Sequence, residues 1–250
     1  MLLRLRVELP DRPGSLGQVA RTLGVTGADI VQMVVLERIG GRAIDDFTVI
    51  WPAAAPVDRI LAGLAAIPGV SVEGVWRSVG APAVGGADAE LVGQVAANPS
   101  AGIATLVDAV PGLLAADWAA VLAVPADWAS TGDGGNPATP VYTSWRAPQP
   151  FAAPDVTPLR PRSFDGADGT RYAAAPFGRA GLVLLAARGG ADAVLPAPGF
   201  HVTEIDRLAQ VVRASAVVLG GRLDSDEPVG RVAGWPVNAG AHRFATVLDT

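Results

Sequence analysis

Within the first eighty residues the hydrophobic pattern switches four times between a period of two and one of about 3.6, and few folds survive that constraint. Leu3, Leu5, Val7 and Leu9 alternate with Arg4, Arg6 and Glu8, which predicts a strand with one buried face. Pro10-Asp11-Arg12-Pro13-Gly14 breaks it, and Leu16, Val19, Ala20 and Leu23 then recur at helical spacing. Gly24 and Gly27 close that helix, and Asp29 to Ile39, rich in Val, Ile and Leu, reads as a long strand. Gly40-Gly41 is a two-residue hairpin signal, with Arg42 to Trp51 as the returning strand. After Pro52, Val57, Ile60, Leu61 and Leu64 predict a second helix, and Val70, Val72, Gly74 and Trp76 line a last strand. The order is βαββαβ, an α+β unit with one antiparallel sheet and two helices on one face. Eight Arg balance eight acidic residues in it.

The Gly/Ala/Pro stretch from 80 to 87 reads as a linker, and the two halves are expected to be separable. Beyond it, eleven Arg face sixteen acids, so the second half carries the whole net charge of -5. Ala89 to Val95 and Ala101 to Val110 look helical; Trp118 to Val124 and Val141 to Trp145 look like strands separated by the loop 130–137. Five prolines between Ala147 and Arg162 predict an extended irregular connection, and the apolar run Gly181 to Ala187 a central strand. Thr203, with Asp206 three residues on, reads as a capping pair opening a long helix with the stripe Ile205, Leu208, Ala209, Val212, Ala216 and Leu219. Residues 223–250 are left unplaced.

Composition closes several functional classes. Without cysteine there is no disulfide framework, thiolate zinc site, thioether chromophore or thiol catalysis. His201 and His242 read as surface or capping residues rather than haem ligands, and no cofactor is expected. The acidic balance argues against nucleic acid. No apolar run reaches the roughly 18 residues of a membrane span, and Arg4 and Arg6 interrupt any leader, so a cytoplasmic location without membrane contact is expected.

The turn Asp11-Arg12-Pro13-Gly14-Ser15-Leu16, set inside a βαββαβ unit, resembles the D-x-P-G-x-L turn of ACT domains, small ferredoxin-like modules that bind amino acids. The resemblance covers residues 1–79. The helix opening near Pro13 presents unsatisfied N–H groups and a positive dipole end to an anion such as an α-carboxylate, and Gly14 lets a ligand approach the backbone. The family holds its ligand between residues of this turn and the start of the second strand, across a dimer interface. The matching positions are Leu9, Asp11, Arg12, Pro13, Gly14, Ser15, Leu16, Asp29 and Ile30. Serine-binding members carry amides where Asp11 and Asp29 stand; a carboxylate accepts from a ligand ammonium but cannot donate to its carboxylate, which turns the expectation away from serine. The resemblance implies a homodimer. Because Arg4 and Arg6 share the face opposite Leu3, Leu5 and Val7, pairing is expected by the edge or helix side rather than by stacked faces.

Residues 88–222 resemble a GAF domain, a sensory α/β fold, on Phe177-Gly178-Arg179-Ala180-Gly181-Leu182-Val183-Leu184, Arg188, Phe200 and Glu204. The family's cyclic-nucleotide signature includes a lysine, and this chain has none. Trp118, Trp128 and Trp145 could line a pocket, with core and loop packing as the alternative. Catalytic candidates fail: Ser215 lacks a G-x-S-x-G elbow, Asp45 and Asp46 point to opposite faces of a strand, and Asp224, Asp226 and Glu227 read as a solvated acidic loop. The expected function is a non-enzymatic regulatory protein that senses an amino acid or related small metabolite and relays it to an unidentified protein partner. The alternative is a ligand-free dimerisation scaffold.

Overall fold

The computed structural model describes residues 1–78, 86–125, 138–177, 181–190, 193 and 195–220. Most of the linker, Trp128, the loop 130–137, Gly178 to Ala180 and the tail with Asp224, Asp226, Glu227 and His242 lie outside the described residues.

The N-terminal unit follows the predicted order: β1 Leu2–Pro10, α1 Ser15–Thr26, β2 Asp29–Ile39, β3 Arg42–Ile50, α2 Asp58–Ala65 and β4 Ser71–Arg77. The sheet runs β2-β3-β1-β4, every neighbour antiparallel. Gly40 and Gly41 both have positive φ, 58° and 77°, the condition for a tight primed turn between β2 and β3. Leu3, Leu5, Val7 and Leu9 point at the helices with Val19, Leu23, Ile60 and Leu64, all essentially buried.

One register detail departs from the sequence pattern. A bulge shifts the β1–β4 pairing between Arg6 and Val7, so Val72 and Val75 pack on the helix-facing core while Gly74 and Trp76 turn to the other face. The predicted single line of Val72, Gly74 and Trp76 is therefore split between two faces.

The second unit contains α3 Ala87–Ala97, a short 3-10 turn, α4 Gly102–Leu114, β5 Trp118–Ala123, β6 Thr139–Thr143, β7 Arg162–Asp165, β8 Thr170–Pro176, β9 Leu182–Gly189 and α5 Val202–Leu219. Its antiparallel sheet is ordered β6-β5-β9-β8-β7, with the apolar β9 at the centre as its sequence predicts. The helices α3, α4 and α5 cover one face. The proline-rich segment covers the other, placing Ala147, Phe151 and Val156 against Trp118, Tyr172 and Leu185. Trp118 meets Phe151 and Tyr172 edge-on at 5.6 and 6.0 Å, so it is a packing residue; Trp145 is 82% exposed. The helix α5 opens differently from the expectation. Its cap is His201, whose Nδ1 accepts from the Thr203 N–H, while Glu204 reaches back to the His201 N–H at 2.8 Å.

The Arg4/Arg6 face of the first sheet packs directly on the second unit. The Val75 N–H donates to the Pro196 carbonyl at 3.1 Å and the Trp76 indole N–H to the Ala115 carbonyl at 2.9 Å. A Cβ at Gly74 would stand 2.5 Å from Pro198 Cδ and 2.8 Å from the Pro196 oxygen, so this strand position must be glycine for the two segments to meet. Gly74→Ala is expected to cost about 1–3 kcal/mol by overpacking, read as a lowered midpoint in thermal unfolding. An unchanged midpoint would mean that the seam gives way without cost. The buried charges of this seam also stand against separable halves, since residues 1–78 alone would expose Arg6, Asp46 and Trp76, each under 5% exposed in the whole chain.

Candidate functional site

Two polar centres stand out, one at the β1–α1 turn and one in the seam. At the turn, the Asp11 N–H donates to the Gly41 carbonyl at 2.8 Å, tying the end of β1 to the β2–β3 hairpin. Gly14 sits at φ 93° as the residue before the helix, a conformation that disfavours any side chain. No side chain caps α1 and no acidic residue occupies its first turn, so Asp11 does not serve as the cap. Its carboxylate instead lies 3.6 Å from the Arg38 guanidinium of β2. Ser15 is buried, whereas Arg12, Pro13 and Leu16 are exposed.

Beneath this turn lies Asp45, which the sequence offered only as a catalytic candidate paired with Asp46 and not as part of the ligand site. Asp45 of β3 points to the helix side, opposite Val7, and is 3% exposed with Oδ1 unpartnered. Burial raises its pKa; the Arg38 guanidinium opposes that rise, while Asp46 and Asp11 add to it. The turn thus gathers the carboxylates Asp11 and Asp45 about one arginine, with an uncapped helix end beside them. Such an arrangement can accept an ammonium group and offer N–H groups to a carboxylate.

The expected residues are only partly united. Asp11 through Leu16 form one surface, and Leu9 is buried in the core beside it. Asp29 pairs with Ile50 and therefore lies at the other end of the sheet, about 25 Å away along the strands; Ile30 stays with it. Within one chain, Asp29 and Ile30 cannot contribute to the turn.

In the seam, Arg6 forks onto Asp46 at 2.8 and 2.9 Å and reaches Glu204 at 2.7 Å. Arg188 holds both Glu204 oxygens, at 3.0 and 2.9 Å, and stacks between Trp76 and Phe200 with its guanidinium carbon 4.7 and 4.0 Å from the ring centres. Burial alone would raise the Glu204 pKa, but Arg188 and Arg6 together overcome it and hold the carboxyl at about 2. Burial would lower the Arg6 pKa, but Asp46, chiefly by its hydrogen bond, and Glu204 outweigh it and raise the value. The His201 Nε2 lies 3.1 Å from Glu37 of β2, adding a second tie between α5 and the first sheet. Sequence signals for this centre existed: two arginines on one strand face, and a Glu three residues after a capping position. Their mutual contact, across 198 residues for Arg6 and Glu204, did not show in any local pattern.

No protein-family profile and no curated protein matches the chain. Among solved structures, a formyltetrahydrofolate deformylase from Pseudomonas putida is 20% identical over 30% of this chain, with a TM-score of 0.27. The chain spans 28% of that deformylase's length. An unknown protein from Galdieria sulphuraria is 14% identical over 87% of this chain and 90% of its own, with a TM-score of 0.28. Likenesses of this size carry no argument. Among the described residues, no helix is long and apolar enough to cross a membrane, and no group of three His, Cys, Asp or Glu is placed to hold a metal ion.

Proposed function

We propose that the chain is a non-enzymatic sensor in which an ACT-like first unit, paired with its copy, binds an amino acid and a GAF-like second unit relays the bound state. The observation that carries this reading is the β1–α1 turn, where an uncapped helix end and Gly14 at φ 93° adjoin the Asp11–Arg38–Asp45 cluster. The ligand carboxylate meets the backbone N–H groups of Gly14 and Leu16, since those of Arg12 and Ser15 already donate to the Pro10 and Arg12 carbonyls; its ammonium meets Asp11 and is drawn by Asp45.

Pairing explains why Asp29 belongs to the site. If β2 pairs antiparallel with β2 of a second copy, the partner strand runs the other way, and Asp29 of the partner subunit approaches the Ile39 end of this strand, where Arg38 and Asp11 lie. Ligand binding between two chains would then favour one arrangement of the pair.

Calorimetric titration with a panel of amino acids tests the site. Wild type is expected to bind one member of the panel. Asp11→Ala should lose a charge-assisted hydrogen bond worth about 1.5–3 kcal/mol, a loss of affinity of about tenfold or more. Gly14→Val should abolish binding. Equal binding by all three proteins would overturn the site, and no binding by wild type would favour the ligand-free scaffold.

A further inference from the structure

A cavity of about 220 Å³ lies in the seam, walled by the outer face of β1, β2 and β3, the C-terminal end of α4 and the first turns of α5. Its polar wall includes Arg4, Gln32, Thr48, Arg207 and the Glu204 carboxylate, which Arg6 and Arg188 already neutralise; Val34, Leu36 and Leu113 form the apolar side. The volume falls below the roughly 300–1,000 Å³ of pockets for drug-sized ligands and cofactors, so a nucleotide or haem is too large.

The charges around it do not balance. Among the described residues, four guanidinium groups (Arg4, Arg6, Arg188 and Arg207) share the three carboxylates of Asp46, Glu204 and Asp88, while Glu37, the fourth carboxylate of the seam, meets His201 instead. Glu204 is shared by Arg6 and Arg188, and Arg207 is occupied by Asp88 and the Leu113 carbonyl. Asp46 is gripped on both oxygens by Arg6, so Arg4 holds it only at 3.2 Å through one terminal nitrogen. Arg4 Nε is buried without an acceptor. A cation this poorly compensated beside a partly enclosed space favours an anion.

We propose that the seam cavity binds a short aliphatic carboxylate, its charged end on Arg4 beside Thr48 and Gln32 and its hydrocarbon tail against Leu36 and Leu113. The ligand bridges β2 of the first unit to α4 and α5 of the second. This site is independent of the amino-acid reading, because it needs no ammonium and shares no residue with the β1–α1 turn.

The test is calorimetric titration of the full chain with 3-methylbutanoate, using the neutral 3-methylbutanamide and inorganic phosphate as comparisons. Saturable binding of the acid is expected, at least about tenfold tighter than either comparison. Arg4→Met should weaken it by a similar factor, Val34→Phe should abolish it by filling the cavity, and Asp11→Ala should leave it unchanged. If Arg4→Met does not fold, Val34→Phe, altered at a residue 37% exposed, decides. No saturation by wild type at millimolar acid, binding of the amide or phosphate as tight as the acid, or undiminished binding by folded Val34→Phe would each overturn the proposal.

Discussion

Glu204→Gln is expected to destabilise the chain by about 3–5 kcal/mol, because it leaves Arg6 and Arg188 buried without their shared counter-charge. Neither arginine can relax toward water, at 1% and 0% exposure. For a chain of this size the thermal midpoint should fall by about 10 °C or more. The acid response gives a second reading of the same residue. Its folded pKa of about 2 lies below the ordinary value of 4.5, so the folded state binds fewer protons than the unfolded one between those limits. The stability contributed by Glu204 is therefore complete above about pH 5 and lost as the pH falls toward 2, an amount of about 3 kcal/mol. Wild type should show a steep loss over that window in denaturant titrations at stepped pH, and Glu204→Gln a shallower one. Equal slopes would remove the charge network from the account of stability.

The second large effect is expected at β2. This strand is an open edge of the sheet, eleven residues long, with Val31, Met33, Val34, Val35 and Ile39 each at least 36% exposed. A long apolar edge of this kind is a template for pairing, and its charged residues, Asp29, Glu37 and Arg38, sit toward the ends. The opposite edge, β4, is shorter at seven residues, and its Gly74 and Trp76 are covered by the second unit. The sheet face is occupied too, which leaves β2 as the favoured route to a dimer. Replacing Met33 and Val35 with Lys sets like charges near the two-fold axis of such a pair. Sedimentation velocity should then report the 25.4 kDa chain rather than a species of twice that mass. A wild-type monomer at micromolar concentration, or a dimer untouched by the two lysines, would exclude pairing through β2.

Much of the first unit was legible because its signals are local. The Leu3 to Leu9 alternation, the Gly40-Gly41 turn and the stripe of α2 each specify their own element. The phase of β4 was not legible, since a one-residue bulge leaves the composition alone while moving Gly74 and Trp76 to the other face. The strands β7 and β8 escaped for a related reason: Arg162–Asp165 is four mostly polar residues whose strand conformation comes from pairing with β8 rather than from a local pattern. Alternation also placed Arg4 and Arg6 on one face without saying what covers that face. The cover comes from Pro196 to Glu204, nearly two hundred residues later. At the turn, Asp11 to Leu16 formed a contiguous candidate because they are contiguous in sequence, whereas Asp45 enters only through the β1–β3 register.

On the reading proposed above, two copies of the chain together hold an amino acid at the β1–α1 turn. Sedimentation velocity on the full chain, with and without each proteinogenic amino acid, tests it most directly. A dimer near twice 25.4 kDa is expected, its association tightened by one amino acid and that effect lost in Asp11→Ala. A mass distribution that no amino acid shifts would contradict it.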